Sequence, residues 1–353
     1  MKEMEVRSVL AALVEEKGPS GFETTVAKTA QRLLEPYVDE TYFDRLGSLI
    51  GVKRCGKENA PRLLLDAHLD EIGLMVTGIE EGFLRFRAIG GVDPRMLPDR
   101  EVTVLAAEPL FGVVACLPPH VQSASDHDKA MPIDRLYIDV GLTQEEAEAK
   151  IPIGTPITYR CGCFSLGENR ICGKSLDDRA CFAALLRCAE LLNGEELDVD
   201  LYIMGSSREE VGGAGAACGA FAIAPEACVA VDVTHGETPD VRNPKDRVTK
   251  LGGGPAIGLG PNCVRALTDQ LRARAKELDM PMQLEVMPGN TGTNAWDMQI
   301  AREGIATAVV SLPLRYMHTP VEVVDLDDLE AVARLLAAFV KGYGKEAAVC
   351  SKP

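Results

Sequence analysis

Two histidines, His68 and His318, and a set of acidic residues, Asp70, Asp177-Asp178, Glu209-Glu210 and Asp232, each stand where an apolar run gives way to polar sequence. Singly, each has a plainer use. Glu209-Glu210 reads as a solvated acidic turn, Asp177-Asp178 as a helix N-cap, Asp232 as a strand cap and His318 as a half-buried histidine. Together they place imidazoles and carboxylates at a series of strand ends. That mixture is a ligand set for zinc, or for cobalt or manganese, rather than for calcium.

A charge count then suggests two ions. With Asp177, Glu210 and Asp232 as ligands, the site carries three negative charges, and neutral His68 and His318 add none. Two divalent ions and one hydroxide balance that, whereas one ion leaves an excess that only protonation relieves. Each metal then has a His, a carboxylate and a share of one bridging carboxylate, the pattern of a two-metal hydrolase.

The elements that must position these residues are legible from periodicity. Residues 4–16 and 22–35 read as helices separated by Gly18-Pro19-Ser20-Gly21. Short strands are expected over Val38–Phe43 and Leu49–Val52. The run Leu63-Leu64-Leu65 fits a buried parallel strand and leads to His68 and Asp70. Residues 70–163 change texture to short alternating segments with Gly/Pro turns and one helical stretch, Gln144–Lys150, so they read as a β-rich module. Alternation of helix and strand then resumes. Helices are expected over Leu176–Leu192, beyond Gly212, over Val264–Leu278 and over Leu326–Tyr343, the last capped by Asp325. Strands are expected over Val199–Met204, Ala227–Val231 and Ala306–Leu312. This pattern implies an α/β fold with a doubly wound, mostly parallel sheet. The catalytic domain is discontinuous (1–69 and 164–353), and residues 70–163 are inserted between its pieces. Sites in such sheets form beyond the carboxyl ends of the strands, where the His and acidic residues fall.

Composition is that of an ordinary soluble globular protein. The 353 residues are 46% hydrophobic and 25% charged, and exceed one typical domain. A net charge of −16 argues against nucleic acid and anionic membranes as partners. The sequence has no apolar signal core at its N-terminus and no run near the ~18 apolar residues a membrane helix needs. The 11 cysteines follow no repeated spacing, and Cys181, Cys188 and Cys218 fall on apparent apolar helix faces, so the expected compartment is the reducing cytoplasm. Cys161, Cys163 and Cys172 lack a fourth ligand and read as buried or edge-strand thiols.

The stretches AHLDEIG (67–73), LDDR (176–179), EEVGGAGA (209–216), DVTH (232–235) and RYMHTPVE (315–322) closely resemble those of the cytosolic metallo-aminopeptidases, and more narrowly the tetrahedral aminopeptidase family, which includes members labelled glutamyl aminopeptidase or cellulase. GPSGFE (18–23), IGGVDP (89–94) and PIGTPI (152–157) extend the resemblance over nearly the whole chain. It implies that His68 binds one metal and His318 the other, that Asp177 bridges them, and that Glu210 and Asp232 are the terminal ligands. Glu209 is the implied general base, and Asp70 the partner that takes a hydrogen bond from the other ring nitrogen of His68. The cofactors are two divalent ions, Zn²⁺ or Co²⁺, with Mn²⁺ also suitable. The metals polarise the scissile carbonyl and acidify the water that attacks it, and Glu209 passes its proton to the leaving amine. The implied substrates are peptides with a free N-terminus. The insert is implied to be a PDZ-like barrel used for dimerisation, building a tetrahedral dodecamer.

Some positions depart from the family pattern. Asn294 and Trp296 stand where relatives commonly carry Asp and a small residue, and are expected to border the substrate pocket; Ser48 replaces a common Asn. His235 reads as a structural residue hydrogen-bonded near Asp232, and His120 and His127 as loop residues of the insert. Competing readings are an amidase or deacylase on the same metals, and a catalytically silent scaffold, against which Glu209 itself argues. A glycoside hydrolase using Glu209 and Glu210 conflicts with the ~5–9 Å separation its carboxylates need.

Overall fold

A computed structural model describes residues 5–121, 129–239, 241 and 248–350. Helices α1 (Val6–Glu15) and α2 (Thr24–Leu34) lead into strands β1 (Glu40–Phe43), β2 (Leu49–Lys53) and β3 (Arg62–His68). Next come β4 (Gly73–Glu80), β5 (Phe83–Ile89), β6 (Glu101–Val104), β7 (Leu110–Ala115), β8 (Tyr137–Asp139), α3 (Gln144–Lys150) and β9 (Pro156–Tyr159). The chain returns through β10 (Phe164–Leu166), β11 (Arg170–Gly173), α4 (Leu176–Leu191), β12 (Asp200–Ser206), α5 (Ala214–Ile223) and β13 (Ala227–His235). It closes with β14 (Ala256–Leu259), α6 (Arg265–Glu277), β15 (Gln283–Val286), α7 (Ala295–Met298), β16 (Ala306–Arg315), β17 (Glu322–Asp325) and α8 (Leu326–Cys350).

The main sheet runs β1-β2-β12-β3-β13-β16-β17-β11-β10, with β14 and β15 off this path. At its centre β12, β3, β13 and β16 are parallel, and β2 and β17 continue it antiparallel on either side. Leu63, Leu64 and Leu65 are fully buried because helices cover both faces of the sheet, so successive side chains on opposite faces all meet core. Each such burial is worth about 1.5–3 kcal/mol. Below one face lies α4, whose stretch Ala180–Leu186 is completely buried, with Cys181 and Cys188 packing as small apolar groups. Cys218, by contrast, is exposed on α5.

The remaining strands, β4-β5-β8-β7-β6-β9, close into a separate antiparallel barrel around Leu74, Val76, Leu84, Val102, Val104, Ile138 and Ile157. A capping box of Thr143 and Glu146 starts α3 against it. The fold class is therefore the expected one: a large, mostly parallel sheet with helices, and a small β-barrel.

Several expected boundaries shift. Strand β13 runs to His235 rather than ending at Val231, because β16 continues to pair with it through Leu314. Helix α8 continues to Cys350, and the Asp325 carboxylate accepts the Asp327 N–H (3.1 Å) at its start, as its capping role requires.

Candidate metal centre

Strand register brings the site together. In the β12–β3 ladder Ser206 lies opposite His68, so the turn after β12 hangs over the end of β3. That turn folds Glu209–Val211 into one 3₁₀ turn, entered through Arg208 (φ 62°) and left through Gly212 (φ 120°), a conformation open only to glycine. Asp232 sits within β13, two residues past the last rung with β3 at Ala230, so its flank on that side is open. His318 (φ 61°) lies in the connection between β16 and β17. Asp177 and Asp178 follow β11, are joined by a cis peptide, and have non-helical dihedrals. They precede the first regular turn of α4 rather than capping it, which corrects the N-cap reading.

All seven predicted site residues converge. Asp177 reaches both histidines, Oδ1 lying 3.1 Å from His68 Nε2 and Oδ2 3.3 Å from His318 Nε2. Glu210 Oε1 is 3.2 Å from His318 Nε2, and Glu209 Oε2 is 4.0 Å from His68 Nε2. Ligand atoms of His68, Asp177 and Glu210 lie within 4.8 Å of one another, and so do those of His68, Asp178 and Asp232. Asp178 thus enters one of the two clusters, a place the sequence reading did not give it. One of its oxygens accepts the His68 N–H at 3.1 Å, while the other, Oδ1, is buried without a hydrogen-bond partner.

Around the cluster lies a frame of hydrogen bonds. Asp70, fully buried, accepts the N–H groups of Glu209 (3.1 Å) and Glu210 (3.2 Å) and the Ser20 hydroxyl. His68 Nδ1 is 3.1 Å from the Asp70 carbonyl oxygen and 3.5 Å from its carboxylate, so the nearer acceptor is the backbone rather than the expected side chain. The Glu23 carboxylate accepts the Arg208 N–H at 3.1 Å, and Ser48 Oγ lies 3.2 Å from Ser207 Oγ, holding the same turn from behind.

Two contributors escaped the sequence reading. Glu322, 2% exposed, accepts the N–H groups of Asp177 (3.0 Å) and His318 (2.9 Å) on its two oxygens. The Gly91 carbonyl, from the loop after β5, lies 3.0 Å from His318 Nδ1. The repeated hydrogen-bonding pattern behind Glu322 has no sequence signal beyond its place in the quoted RYMHTPVE stretch. Gly90-Gly91 had the weak signal of paired glycines, which often mark close backbone approach.

Other expectations shift. Asn294 is buried, donating Nδ2 to Asp66 and Ser206 at 2.8 Å each. Trp296 is 39% exposed on α7. His235 ends β13 exposed, and, three residues from Asp232 on a strand, it faces the opposite side. His120 is exposed, and His127 lies outside the described residues. Cys161 and Cys163 are half-buried in the connection between β9 and β10, and Cys172 is buried in β11, which pairs on both sides, so none is on an edge strand.

Charge in this pocket is uncompensated. Burial alone would lower the His68 pKa, but the carboxylates of Asp177 and Asp70 raise it well above its ordinary value. Hydrogen bonds to Asp177 and Glu210 raise His318 to about 11. Burial would raise Asp177, yet both imidazoles hold it below the usual carboxylate range. Burial pushes Glu209 up to about 8, and carries Glu210, Asp178, Asp232 and Glu322 upward as well. Buried carboxylates this crowded are satisfied by cations, and the orphaned Asp178 oxygen is one more donor atom for them. The donor set fits divalent ions.

Known proteins match this chain over almost their full length. A family profile described as M42 glutamyl aminopeptidase matches residues 47–335. A lysyl aminopeptidase of Pyrococcus furiosus is 37% identical over 94% of this chain and 96% of its own. The structure of an aminopeptidase from the archaeon Desulfurococcus kamchatkensis superposes with a TM-score of 0.92 at 34% identity, covering 99% of this chain and 98% of the other. The TET1 peptidase of Pyrococcus horikoshii, which assembles into a tetrahedron or a large octahedral shell, superposes with a TM-score of 0.83 at 29% identity, covering 95% and 99%.

Proposed function

The chain belongs to the M42 glutamyl aminopeptidase family, a family of metal-dependent peptidases, and we propose that it holds two divalent ions, Zn²⁺ or Co²⁺ with Mn²⁺ also suitable, and removes N-terminal residues from peptides. The observation that carries the two-ion reading is the Asp177 carboxylate, with one oxygen toward each imidazole. His68 and His318 would hold one ion each, with Asp177 between them and Glu210 and Asp232 as terminal ligands. When bound, such ions polarise a scissile carbonyl and acidify the attacking water.

The protein's own part is positioning and proton transfer. Glu210, nearer His318, is committed as a ligand in this reading. Glu209 stands 4.0 Å from His68, free to take a proton and return it to the leaving amine. Asp70 orients both. It fixes the Glu209-Glu210 turn through two backbone N–H groups and stands beside the Nδ1 edge of His68. The tautomer that leaves Nε2 free is the one that donates from Nδ1.

Residues 70–163 form the assembly domain of this reading, inserted into a catalytic domain of 1–69 and 164–353. The barrel's β7 exposes Phe111 (48%) and Val113 (36%), an apolar pair suited to self-association. Dimers joined there would build a tetrahedral dodecamer in the cytoplasm.

The test is hydrolysis of a panel of aminoacyl-p-nitroanilides and of an N-acetylated peptide, with and without added Zn²⁺ or Co²⁺. Metal-dependent release from free-amine substrates alone is expected. Turnover of the acetylated peptide but not the free amines would instead mark a deacylase on the same metals.

A further inference from the structure

We propose that Glu322 is a positioning residue that fixes the separation between Asp177 and His318, and through it the affinity of the ion on the His318 side; this rests on the two-ion reading above. Asp177 and His318 are 141 residues apart and arrive on different elements, the irregular start of α4 and the β16–β17 connection. Neither has regular backbone at that point, since Asp177 is non-helical and His318 has a φ of 61°. No ladder therefore sets their spacing. Glu322 does so instead, with Oε2 accepting the Asp177 N–H at 3.0 Å and Oε1 the His318 N–H at 2.9 Å. Glu322 opens β17, and in the β11–β17 ladder it lies opposite Gly173, four residues before Asp177. It is thus placed by the same strand pair that delivers Asp177.

The side chain is matched to this task. Two N–H donors on separate segments are met here by two acceptor oxygens on one side chain, which a carboxylate supplies. Glutamine has one acceptor and one donor, so it would leave one buried N–H facing an NH₂ group. Aspartate keeps both oxygens but is one methylene shorter, so it reaches one donor at a time. The clamp therefore repeats at the backbone the link that the side chains make through Asp177 Oδ2 and His318 Nε2.

The experiment is a Co²⁺ titration of the metal-free protein followed by visible absorption, with bound metal counted by elemental analysis, on wild type, Glu322→Gln, Glu322→Asp and a control. The control is Asp328→Asn. Asp328 is equally buried and also accepts two backbone N–H groups, from Gly252 and Gly254 at 2.7 Å each, but in the first turn of α8. Wild type should bind two ions. Glu322→Gln should weaken the second by at least about tenfold with the first little changed, and Glu322→Asp should fall between. In the loaded enzymes, Glu322→Gln should lower kcat with KM for peptide unchanged. Asp328→Asn should lower the melting temperature and leave both affinities intact. Wild-type affinities in Glu322→Gln, or equal weakening in Glu322→Gln and Asp328→Asn, would overturn the proposal. Saturation of wild type at one ion would overturn the two-ion reading itself, and is seen before any variant is compared.

Discussion

Asp177 offers one oxygen to each imidazole, and the resulting pairs carry protons whenever no metal does. A metal ligand must be a neutral imidazole, so each ion that enters has to expel a proton. With His318 raised to about 11 and His68 well above its ordinary value, metal uptake at neutral pH should release protons from both. Apparent affinity should rise with pH by up to about tenfold per unit for each proton released, read by calorimetry in buffers of different ionisation enthalpy. The sign for stability follows from the same shift. A histidine raised above 6.5 in the folded protein stabilises it fully below that value, and the contribution is lost as pH climbs through about 11. The metal-free protein should therefore lose melting temperature at alkaline pH more steeply than the loaded one. Glu209, pushed to about 8 by burial, would be pulled down by two nearby cations, so the acid limb of kcat/KM should fall below pH 8. Glu209→Gln should keep both ions and lose about 10²–10⁴-fold in kcat, and unchanged activity would remove Glu209 from the chemistry.

At the scale of elements, the site is a consequence of where strands stop. Parallel β3 and β12 end in register, so His68 and the Glu209-Glu210 turn meet without any long-range adjustment. This much was legible, because Leu63–Leu65 and Leu201–Met204 are apolar runs with abrupt polar ends, and a buried parallel strand leaves that signature. The end of β13 was not legible. Asp232, Thr234 and His235 look like sequence beyond the strand, but pairing with β16 is backbone chemistry, indifferent to side-chain polarity. The geometry of Asp177-Asp178 was hidden for a related reason, since two acids before a small-residue helix have the composition of an N-cap whether or not they cap. The hydrogen bonds of Asn294 were hidden because its partners, Asp66 and Ser206, come from strands far away in sequence. The Gly90-Gly91 loop shows the limit most clearly, for its partner is 227 residues away. It also yields a prediction. A Cβ at Gly91 would lie 2.6 Å from His318 Nδ1, so Gly91→Ala must displace the ring or the loop. It should lower metal affinity and kcat while the melting temperature of the metal-free protein changes little.

The whole molecule is held across its parts by a buried charge network. Lys174 donates to Glu71 at 2.7 Å, both almost fully enclosed, and Arg179 lies 3.4 Å from the same carboxylate. Glu71 also accepts the Gly18 N–H (3.0 Å) and the Thr158 hydroxyl (3.1 Å), which ties the N-terminal segment, the barrel and the start of α4 to one side chain. Lys174→Met should cost about 3–5 kcal/mol by stranding Glu71, measured by denaturant unfolding, and Glu71→Gln combined with it should recover part of the loss. Assembly belongs to this scale too. If the barrel is the proposed self-association surface, Phe111→Glu on β7 should lower the particle mass by light scattering, and an unchanged mass would count against that face.

The carbonyl of Gly91 gives the barrel a standing beyond assembly. Because it receives His318 Nδ1, the loop after β5 would orient a ligand of the proposed metal centre from outside the main sheet. A chimera carrying a relative's barrel would work only if the graft returned an acceptor to the same point, and a version with the barrel excised would keep every ligand yet lose the tautomer of one.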